Sequence, residues 1–417
     1  MIFVRTLKKP VLALLWSGQT LSAFGSQFSG MALLWLTTQK LGGVAGFIFG
    51  ITTLVALLFG PLGGIIADRV DRGKLLIWTD IARALLLGIL VIMTVLTGVQ
   101  IGLLVCVVLA IELLGTIFDP ALTASLPMLA GDTKTLYETN WVMETTKRLA
   151  RTICPAISGV ILAVLPFFAF FSLDALSFVV SAGSLLLIWK RLLSPPQVHE
   201  EQPPKKQAFF LDLWRDIATG YTLARKNTVF FWSLIVLGIT NIAWSAAYMI
   251  GLPLWVQHTF HENAALWGMI ASAYGLGNIC SVFLGVLKKR LLLLMYLGKI
   301  LQGASFLLLV LAGTGYMAVG SMFLGAIGGS LAELILVMLL QTQFPSEHLG
   351  KLYSLQRTIS NVGISLGSMG ASLLYAHLSP AAGIALCGVV IMLFGGSSLF
   401  LLAPRFQERE IQAASVL

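Results

Sequence analysis

The chain has 417 residues, of which 27 are Lys or Arg and 18 are Asp or Glu, so only 11% are charged. An average soluble domain carries roughly 25% charged residues, whereas 57% of this chain is hydrophobic. One globular core could not bury so much apolar surface, and lipid must therefore solvate the excess. The composition excludes an ordinary cytosolic enzyme and a disordered protein, and it predicts an all-α membrane protein.

The net charge of +9 raises the question of a nucleic-acid partner. The basic residues stand in short clusters between apolar runs, which suits anionic lipid headgroups better. We therefore expect membrane lipid, and no nucleic acid, as a partner. The four cysteines lie inside apolar runs without metal-ligand spacing, so neither a disulfide framework nor a metal site is expected.

Apolar runs of about 17 to 25 residues mark membrane-spanning helices, and twelve such runs are present. They start near residues 12, 46, 75, 101, 146, 169, 228, 264, 292, 316, 353 and 381. The first run contains no small-residue cleavage site, so we expect a retained helix rather than a signal peptide.

The Lys and Arg residues of the short loops predict the orientation, because positive charge stays on the cytoplasmic side. Basic clusters precede span one and follow spans two, six and eight. Of the 27 basic residues, only Lys40 falls in a loop on the opposite side. Both termini are therefore expected in the cytoplasm.

A long polar stretch, residues 190–227, divides the spans six plus six. It predicts an N-terminal six-helix bundle over residues 1–190, a cytoplasmic linker over 191–227 and a C-terminal six-helix bundle over 228–417. The second part of the linker predicts an amphipathic helix in the membrane interface, with a merely solvated linker as the alternative. Its apolar face consists of Phe210, Leu213, Trp214, Ile217 and Tyr221.

The two halves also share local features in corresponding places. Leu136-Tyr137 lies between spans four and five, and Leu352-Tyr353 occupies the same place before span eleven. The two bundles are therefore expected to be pseudo-symmetric. Paired halves around a midplane site are a transporter arrangement, since rocking one half against the other exposes the site to each side in turn.

The loop after span two reads Gly64-Ile-Ile-Ala-Asp68-Arg69-Val-Asp71-Arg72-Gly73-Lys74. Gly64 would permit close approach of a neighbouring helix, and Asp68 could cap or bridge a helix end. We interpret this cluster as a gating latch that breaks when the halves rock. A solvated turn under the positive-inside rule is the alternative, and it would explain Arg72 and Lys74 alone.

This run resembles the loop 2–3 signature of the major facilitator superfamily, and the six-plus-six layout agrees with it over essentially the whole chain. Further motifs resemble the superfamily's bacterial macrolide-efflux branch, and two in span five resemble the related enterobactin-exporter group. The motifs of the macrolide-efflux branch are Trp16-Ser-Gly18-Gln19, Asp68 to Arg72, Asp80, Gly115-Thr116, Pro120-Ala121-Leu122, Asp174 and the segment Arg215 to Asn227; those of the exporter group are Arg148-Leu149 and Pro155.

The resemblance implies a multi-pass protein of the bacterial cytoplasmic membrane that exports macrolide-like drugs by alternating access. One position departs from the superfamily pattern. Where an arginine is usual in span four, three residues before a glycine, this chain has Glu112 before Gly115. A proton-relay role of that arginine cannot be transferred, and the site becomes potentially anionic.

Ionisable residues at membrane depth are functional candidates by default. Glu112 in span four and Glu333 in span ten are the expected proton-coupling sites, because a carboxyl in a low-dielectric cavity can load and release a proton. A structural hydrogen bond is the alternative for each. In span three, Asp80 and Arg83 are interpreted as an ion pair on the helix surface with a structural or gating role.

Three further charged residues are not expected to bind protons or substrate. Asp119, next to Pro120, is assigned to the gating latch. Asp174 is expected to be structural, because it lies near the outer end of span six. Lys299 in span nine is expected to extend its ammonium to the cytoplasmic face.

Polar side chains at helical spacing predict a substrate cavity, with spans one and seven as the symmetric pair whose stripes converge. For any one of these residues, the alternative is a hydrogen bond that joins two packed helices. The expected substrate-binding residues are Gln19, Ser22 and Ser26 in span one, Asn241, Trp244 and Tyr248 in span seven, and Tyr274 and Asn278 in span eight.

The chain carries no nucleotide-binding loop, so an ion gradient or the substrate's own gradient must supply the energy. We therefore expect a secondary transporter, without cofactor, that exports hydrophobic or amphiphilic molecules in exchange for protons and works as a monomer. Export of a siderophore or another endogenous metabolite is the alternative. From another class, a membrane receptor or a lipid-handling enzyme stays open, although no nucleophile and base are paired.

Overall fold

The computed structural model describes residues 8–162, 164–188, 218–261, 264–284 and 291–414, without the side chains of residues 68, 156, 284, 346, 347 and 400–414. Within these ranges the chain forms twelve long helices and no β-strand. The helices of the first half are α1 (Pro10–Leu41), α2 (Ala45–Arg69), α3 (Arg72–Thr97), α4 (Ile101–Ala130), α5 (Thr133–Leu162) and α6 (Phe167–Leu187). The helices of the second half are α7 (Thr228–Thr259), α8 (Ala264–Leu284), α9 (Leu291–Val310), α10 (Gly315–Gln343), α11 (Ser346–His377) and α12 (Pro380–Ala414).

Each helix coincides with one predicted span, so the all-α membrane fold is confirmed. Two helices start well before the predicted spans: α5 begins at Thr133 rather than near 146, and α11 at Ser346 rather than near 353. Their first two turns carry polar residues such as Glu138 and Lys351 among apolar ones. An apolar-run criterion misses such turns, because an amphipathic helix has only one apolar face.

Helix α7 is interrupted by a π-helical turn over Ser245–Gly251, which the sequence analysis did not predict. Pro253 follows it at the start of the next α-helical segment, Leu252–Thr259. Proline lacks the backbone N–H that a regular α-helix would need at this position, so a change of helix type next to it has a physical cause.

The described residues group into two compact units. Unit 1 comprises described residues of Met1–Leu41, Ile51–Gln197 and Asn263–Gly268, and unit 2 comprises those of Gly42–Gly50, Val198–Glu262 and Met269–Leu417. In unit 1, α1 packs on α5 and α6, and α3 packs on α4 and α6. In unit 2, α7 packs on α11 and α12, and α9 packs on α10 and α12. Each helix pair thus recurs six helices later, which confirms the expected pseudo-symmetry.

Apolar side chains fill the spaces between these helices. In unit 1, Leu15, Leu76, Phe118 and Leu185 belong to one buried cluster, with each side chain on a different helix. In unit 2, the corresponding cluster contains Phe230, Tyr296, Ile335 and Leu352. These cores hold each set of helices together.

Helix α3 shows how polar and apolar faces are distributed. Its exposed face is apolar, and its buried face carries Asp80 and Arg83, which are 0% and 7% exposed. The large apolar side chains on this face that are more than half accessible are Trp78, Leu85, Ile89, Ile92, Val95 and Leu96. Apolar residues outside and charges inside suit a lipid environment, in which a buried charge marks a functional site.

Candidate functional site

Helices α1, α3 and α6 meet at Asp80. The Ser181 hydroxyl donates to Oδ2 of Asp80 at 2.6 Å, and Nε2 of Gln19 donates to the same hydroxyl at 3.0 Å. Nη1 of Arg83 lies 3.5 Å from Oδ1 of Asp80. The predicted ion pair is thus formed, but it lies inside the helix packing rather than on the helix surface, because its face of α3 is covered by α6.

The guanidinium of Arg83 lies between two aromatic rings. Its Cζ is 4.8 Å from the ring centre of Phe118 on α4 and 5.3 Å from that of Phe178 on α6. At these distances a cation is attracted to the ring faces. Four carboxyl groups also act electrostatically on this guanidinium, those of Asp80, Glu112, Asp119 and Asp174.

Arg83 adds a cation beside the potentially anionic site predicted around Glu112 on span four. A Cβ atom at Gly115 would lie 3.1 Å from Nη2 of Arg83. A cation from α3 thus packs against α4, and the absence of a side chain at Gly115 makes room for it. Glu112 is partly exposed and Asp119 is exposed, so both acids of α4 face more open surroundings than Asp80 does.

Asp174 on α6 is held by three hydroxyl groups. Ser29 donates to Oδ2 at 2.5 Å, and Ser26 and Ser177 donate to Oδ1 at 3.1 and 3.3 Å. The bonds from Ser29 and Ser26 join α1 to α6, in agreement with the structural interpretation of Asp174. Two predicted substrate-binding residues, Gln19 and Ser26, are therefore engaged in the packing of α1 on α6. Ser22 is partly exposed on α1.

The predicted gating residues in the loop after α2 make different contacts. Asp71 caps α3, because its carboxylate accepts the backbone N–H of Lys74 at 2.8 Å. Nη1 of Arg72 donates to the carbonyl of Ala124 on α4 at 3.0 Å. Arg69 is exposed, and the side chain of Asp68 lies outside the described residues.

The close helix approach expected at Gly64 lies one residue earlier. A Cβ atom at Gly64 would meet no atom within 4 Å, whereas one at Gly63 would collide with the backbone of Thr116 on α4. The difference arises because neighbouring residues of a helix point about 100° apart, so only one of the two glycines faces α4.

Unit 2 contains an aromatic cluster, which we define as Trp244, Tyr248 and Tyr274. The rings of Trp244 and Tyr248 are stacked, with centres 5.2 Å apart and planes 13° apart. The ring of Tyr274 lies 4.4 Å from that of Tyr248, and its hydroxyl accepts the indole N–H of Trp244 at 2.8 Å. Three of the predicted substrate-binding residues are therefore brought together in space.

A chain of polar groups leads from this cluster to a buried cation. Nε2 of Gln302 donates to the Tyr274 hydroxyl at 3.5 Å, and Nζ of Lys299 donates to Oε1 of Gln302 at 3.2 Å. Lys299 is only 5% exposed. The expectation that its ammonium reaches the membrane surface is wrong, since it is held inside by Gln302 and by its attraction to Glu333.

Glu333 lies at the edge of the same site. It is exposed, yet it lines one small cavity together with Lys299 and Tyr296, and it acts electrostatically on Tyr274. The predicted residues Asn278 and Asn241 bond elsewhere. Oδ1 of Asn278 accepts the Ser330 hydroxyl at 2.5 Å, and Nδ2 of Asn241 donates to the Ser360 hydroxyl at 2.7 Å.

The π-helical turn of α7 carries Tyr248 and is fixed from α11. The hydroxyl of Tyr375 donates to the carbonyl of Ala246 at 3.0 Å. A side chain at Gly251 would collide with that hydroxyl. Sequence reasoning did not single out Gln302 or Tyr375, although Pro253 in the middle of an apolar run was a signal for irregular backbone in span seven.

A membrane protein built of two six-helix repeats, with buried charges and an aromatic cluster between its helices, belongs to the class of secondary transporters. A family model described as Major Facilitator Superfamily matches residues 15–368. The chain belongs to the Major Facilitator Superfamily. It is a multi-pass membrane transporter of small molecules and not an enzyme.

Two curated relatives are similar over most of the chain. Macrolide efflux protein A of Streptococcus pyogenes is 23% identical over 375 residues, which cover 85% of this chain and 86% of that protein. The MFS-type transporter YfiS of Bacillus subtilis (strain 168) is 21% identical over 402 residues, which cover 93% of this chain and 92% of that protein.

Solved structures share the fold at low sequence identity. A POT family transporter in complex with a thioalcohol-conjugated peptide has a TM-score of 0.68 at 15% identity, covering 95% of this chain and 96% of that one. A bacterial homologue of the iron transporter ferroportin has a TM-score of 0.65 at 16% identity, covering 93% of this chain and 98% of that one.

Proposed function

We propose that this transporter exports hydrophobic or amphiphilic molecules from the cytoplasm in exchange for protons. Macrolide-like drugs are the first candidates, because the chain is similar to Macrolide efflux protein A. The protein acts in the bacterial cytoplasmic membrane as a monomer surrounded by lipid, with both termini in the cytoplasm. The positive-inside distribution of Lys and Arg supports this orientation.

The aromatic cluster is the observation that carries the proposal. Trp244 and Tyr248 are partly exposed, and Tyr274 closes the cluster from α8. Such rings offer a large apolar contact area, while their polar edges orient a ligand. Glu333 and the Lys299–Gln302 pair place charge and hydrogen-bonding groups next to the rings. An amphiphilic molecule fits this combination.

Two acids suit the coupling of transport to protons. Glu112 lies on α4 near the cation of Arg83 on α3, and Glu333 lies on α10 near the cation of Lys299 on α9. The two pairs use corresponding helices of the two repeats. Binding of a proton cancels the attraction between acid and cation, so proton binding can change how the two helices pack.

The gate comprises the loop after α2 and its neighbours. Arg72 links the start of α3 to α4, and Asp80 with Arg83 links α3 to α6. Both links lie within unit 1, and their rearrangement would shift α3 relative to α4 and α6. The remaining gating residues in this proposal are Gly64, Asp68, Arg69, Asp71 and Asp119, and the remaining cavity residues are Gln19, Ser22, Ser26, Asn241 and Asn278.

The test is accumulation of a labelled panel in bacterial cells expressing the transporter. The panel contains a macrolide, a catecholate siderophore and a lipophilic cation, each with and without a protonophore. The variants are Glu112→Gln and Glu333→Gln. The matched control is Glu144→Gln, which removes an exposed acid that pairs only locally, with Arg148 at 3.1 Å.

We expect protonophore-sensitive efflux of one panel compound, lost in Glu112→Gln or Glu333→Gln and kept in the control. Efflux of the siderophore alone would replace the drug with an endogenous metabolite. Accumulation equal to that of empty cells for all compounds would contradict the proposal of drug export.

A further inference from the structure

Unit 2 buries a cation whose hydrogen-bond donors are only partly used. Lys299 on α9 is 5% exposed. Among the residues that the structure describes, its ammonium makes one hydrogen bond, to Oε1 of Gln302 at 3.2 Å. An ammonium group has three N–H donors, and a buried donor without an acceptor costs free energy. Lys299 therefore has two donors available for a further acceptor.

The acid that acts electrostatically on Lys299 does not use these donors. Glu333 on α10 lines the same small cavity as Lys299 and attracts its ammonium. Within the described ranges, however, Glu333 is exposed and forms no hydrogen bond and no direct ion pair. An exposed carboxylate stays solvated and interacts weakly with a cation. It therefore leaves the buried ammonium open to a ligand.

Tyr274 supplies a further donor next to this cation. Its hydroxyl oxygen accepts the indole N–H of Trp244 at 2.8 Å and the amide N–H of Gln302 at 3.5 Å. The hydroxyl hydrogen itself has no acceptor in the part of the chain that the structure describes. Hydrogen bonds that run in one direction, here from Lys299 through Gln302 to Tyr274, polarise one another. The Tyr274 hydroxyl is thus a strengthened donor.

These donors favour a negatively charged headgroup. Glu333 acts electrostatically on both Tyr274 and Lys299, so one carboxylate can lie within reach of both groups. A buried charge interacts more strongly than an exposed one, because its surroundings have a lower dielectric constant. A cationic headgroup would be repelled by the buried ammonium, whereas an anionic headgroup would be attracted to it.

We propose that Lys299 and Tyr274 form a subsite for the carboxylate of an acidic amphiphile, whose apolar part lies against the stacked rings of Trp244 and Tyr248. This rests on the proposed function and deepens it, since it names the acidic members of the amphiphiles as substrates. The carboxylate accepts the two remaining N–H groups of Lys299 and the hydroxyl of Tyr274. The rings of Trp244 and Tyr248 are partly exposed, so they offer apolar surface beside the headgroup.

The experiment is equilibrium binding of tritiated probes to the purified transporter in phosphatidylcholine nanodiscs, at neutral pH and without a gradient. The probes share a naphthalene ring and differ in the headgroup: naphthylacetate, naphthylacetamide and naphthylethylammonium. At neutral pH a carboxylic acid is ionised and an amine is protonated. Empty nanodiscs measure how much of each probe binds to lipid.

In the wild type we expect naphthylacetate to bind about tenfold more tightly than the amide, because hydrogen bonds between charged groups are the stronger ones. In Lys299→Met we expect the two probes to bind equally, with the amide affinity unchanged. Lys134→Met is the matched control, because it removes an exposed lysine of unit 1, and it should keep the preference. Equal binding of both probes to the wild type, or a preference that survives in Lys299→Met, would overturn the proposal.

A milder variant keeps the test valid if Lys299→Met does not fold. Tyr274→Phe keeps the ring of the aromatic cluster and removes the hydroxyl donor. We expect it to reduce the preference for naphthylacetate over the amide without abolishing it. An unchanged preference in Tyr274→Phe would overturn a subsite built from these two donors.

Glu333→Gln decides between the two signs of ligand charge. It removes a negative charge beside the subsite, so we expect naphthylacetate to bind at least as tightly as to the wild type. A wild-type preference for naphthylethylammonium that is lost in Glu333→Gln would assign the site to cations and overturn the proposal.

Probe binding and export are separate measurements, so failure of this inference is distinguishable from failure of the proposed function. Protonophore-sensitive efflux of a panel compound without the carboxylate preference would leave the function standing and contradict the subsite. The carboxylate preference in a transporter that exports no panel compound would support the subsite and contradict drug export.

Discussion

The two repeats use the same helix pairs for opposite electrostatic arrangements. In unit 1 the acids Asp80 and Asp174 are buried around a cation, and hydroxyl groups surround them. In unit 2 the cation, Lys299, is buried, and the acid, Glu333, is exposed beside an aromatic cluster. The first arrangement places its charges inside the helix packing, whereas the second places them beside partly exposed aromatic rings. Pseudo-symmetric repeats can therefore give their charged pairs different surroundings.

The largest expected effect is on stability, and it differs between the two buried cations, Arg83 and Lys299. Arg83→Met leaves two buried carboxyls without a counter-charge, so we expect a loss of about 3–5 kcal/mol in the free energy of unfolding. Lys299→Met leaves only the exposed Glu333 unpaired, and we expect a loss of about 1 kcal/mol or less. Thermal unfolding of both purified variants in detergent measures the difference. Equal losses would show that the two clusters do not differ in this way.

The next effect concerns the affinity of the aromatic cluster for the exported compound. Trp244→Ala removes the stacked ring and the indole N–H that Tyr274 accepts, so we expect about tenfold weaker apparent affinity for the exported compound. The measurement is the concentration dependence of efflux in cells. Trp232→Ala is the control, because its indole bonds to Ser398 at 2.9 Å and is not part of the cluster. Unchanged affinity in Trp244→Ala would rule out the cluster as the binding site.

The two clusters also differ in the backbone that carries them. Asp80 lies on a regular helix, whereas Tyr248 lies on the π-helical turn fixed by Tyr375. Tyr375→Phe removes one hydrogen bond, and we expect about 1 kcal/mol less stability and a change in export rate. Tyr316→Phe, at an exposed tyrosine, is the control. A variant with wild-type export would show that the turn is static during transport.

The smallest effect is that of a carboxylate outside the membrane-spanning segments. Hydrogen bonds from the Thr135 hydroxyl and backbone, aided by Lys9, lower the pKa of Asp132 to about 2. A lowered pKa means that the ionised form stabilises the fold above the unfolded value of about 4 and ceases to do so as the pH falls toward the folded value. Asp132→Asn should therefore lower the melting temperature slightly at neutral pH and not at pH 2. A constant difference across this range would show that the ionised carboxylate is not the source of the stabilisation.

Much of the fold follows from local properties of the sequence. Apolar runs identify the twelve helices, because lipid exposure demands them. The apolar-run criterion does not detect the polar first turns of α5 and α11 or the π-helical turn of α7. Trp244 and Tyr248 are one helical turn apart, so their common face was predictable.

The interior of each unit depends on packing that the sequence does not display. Ser29 and Asp174 are 145 positions apart, and only the contact of α1 with α6 brings them together. The surroundings of Lys299 also depend on packing, because its position in an apolar run allows either burial or extension to the surface. Which face of α9 turns inward decides between the two, and that is fixed by α10 and α12.

Coupling of export to protons is tested most directly in inverted membrane vesicles with an acidic lumen. We predict that the panel compound extruded by cells accumulates in wild-type vesicles only while the pH gradient lasts. In Glu112→Gln vesicles, we predict that exchange of labelled for unlabelled compound continues while gradient-driven accumulation is lost. Accumulation in the wild type that is equal with and without the gradient would contradict proton exchange.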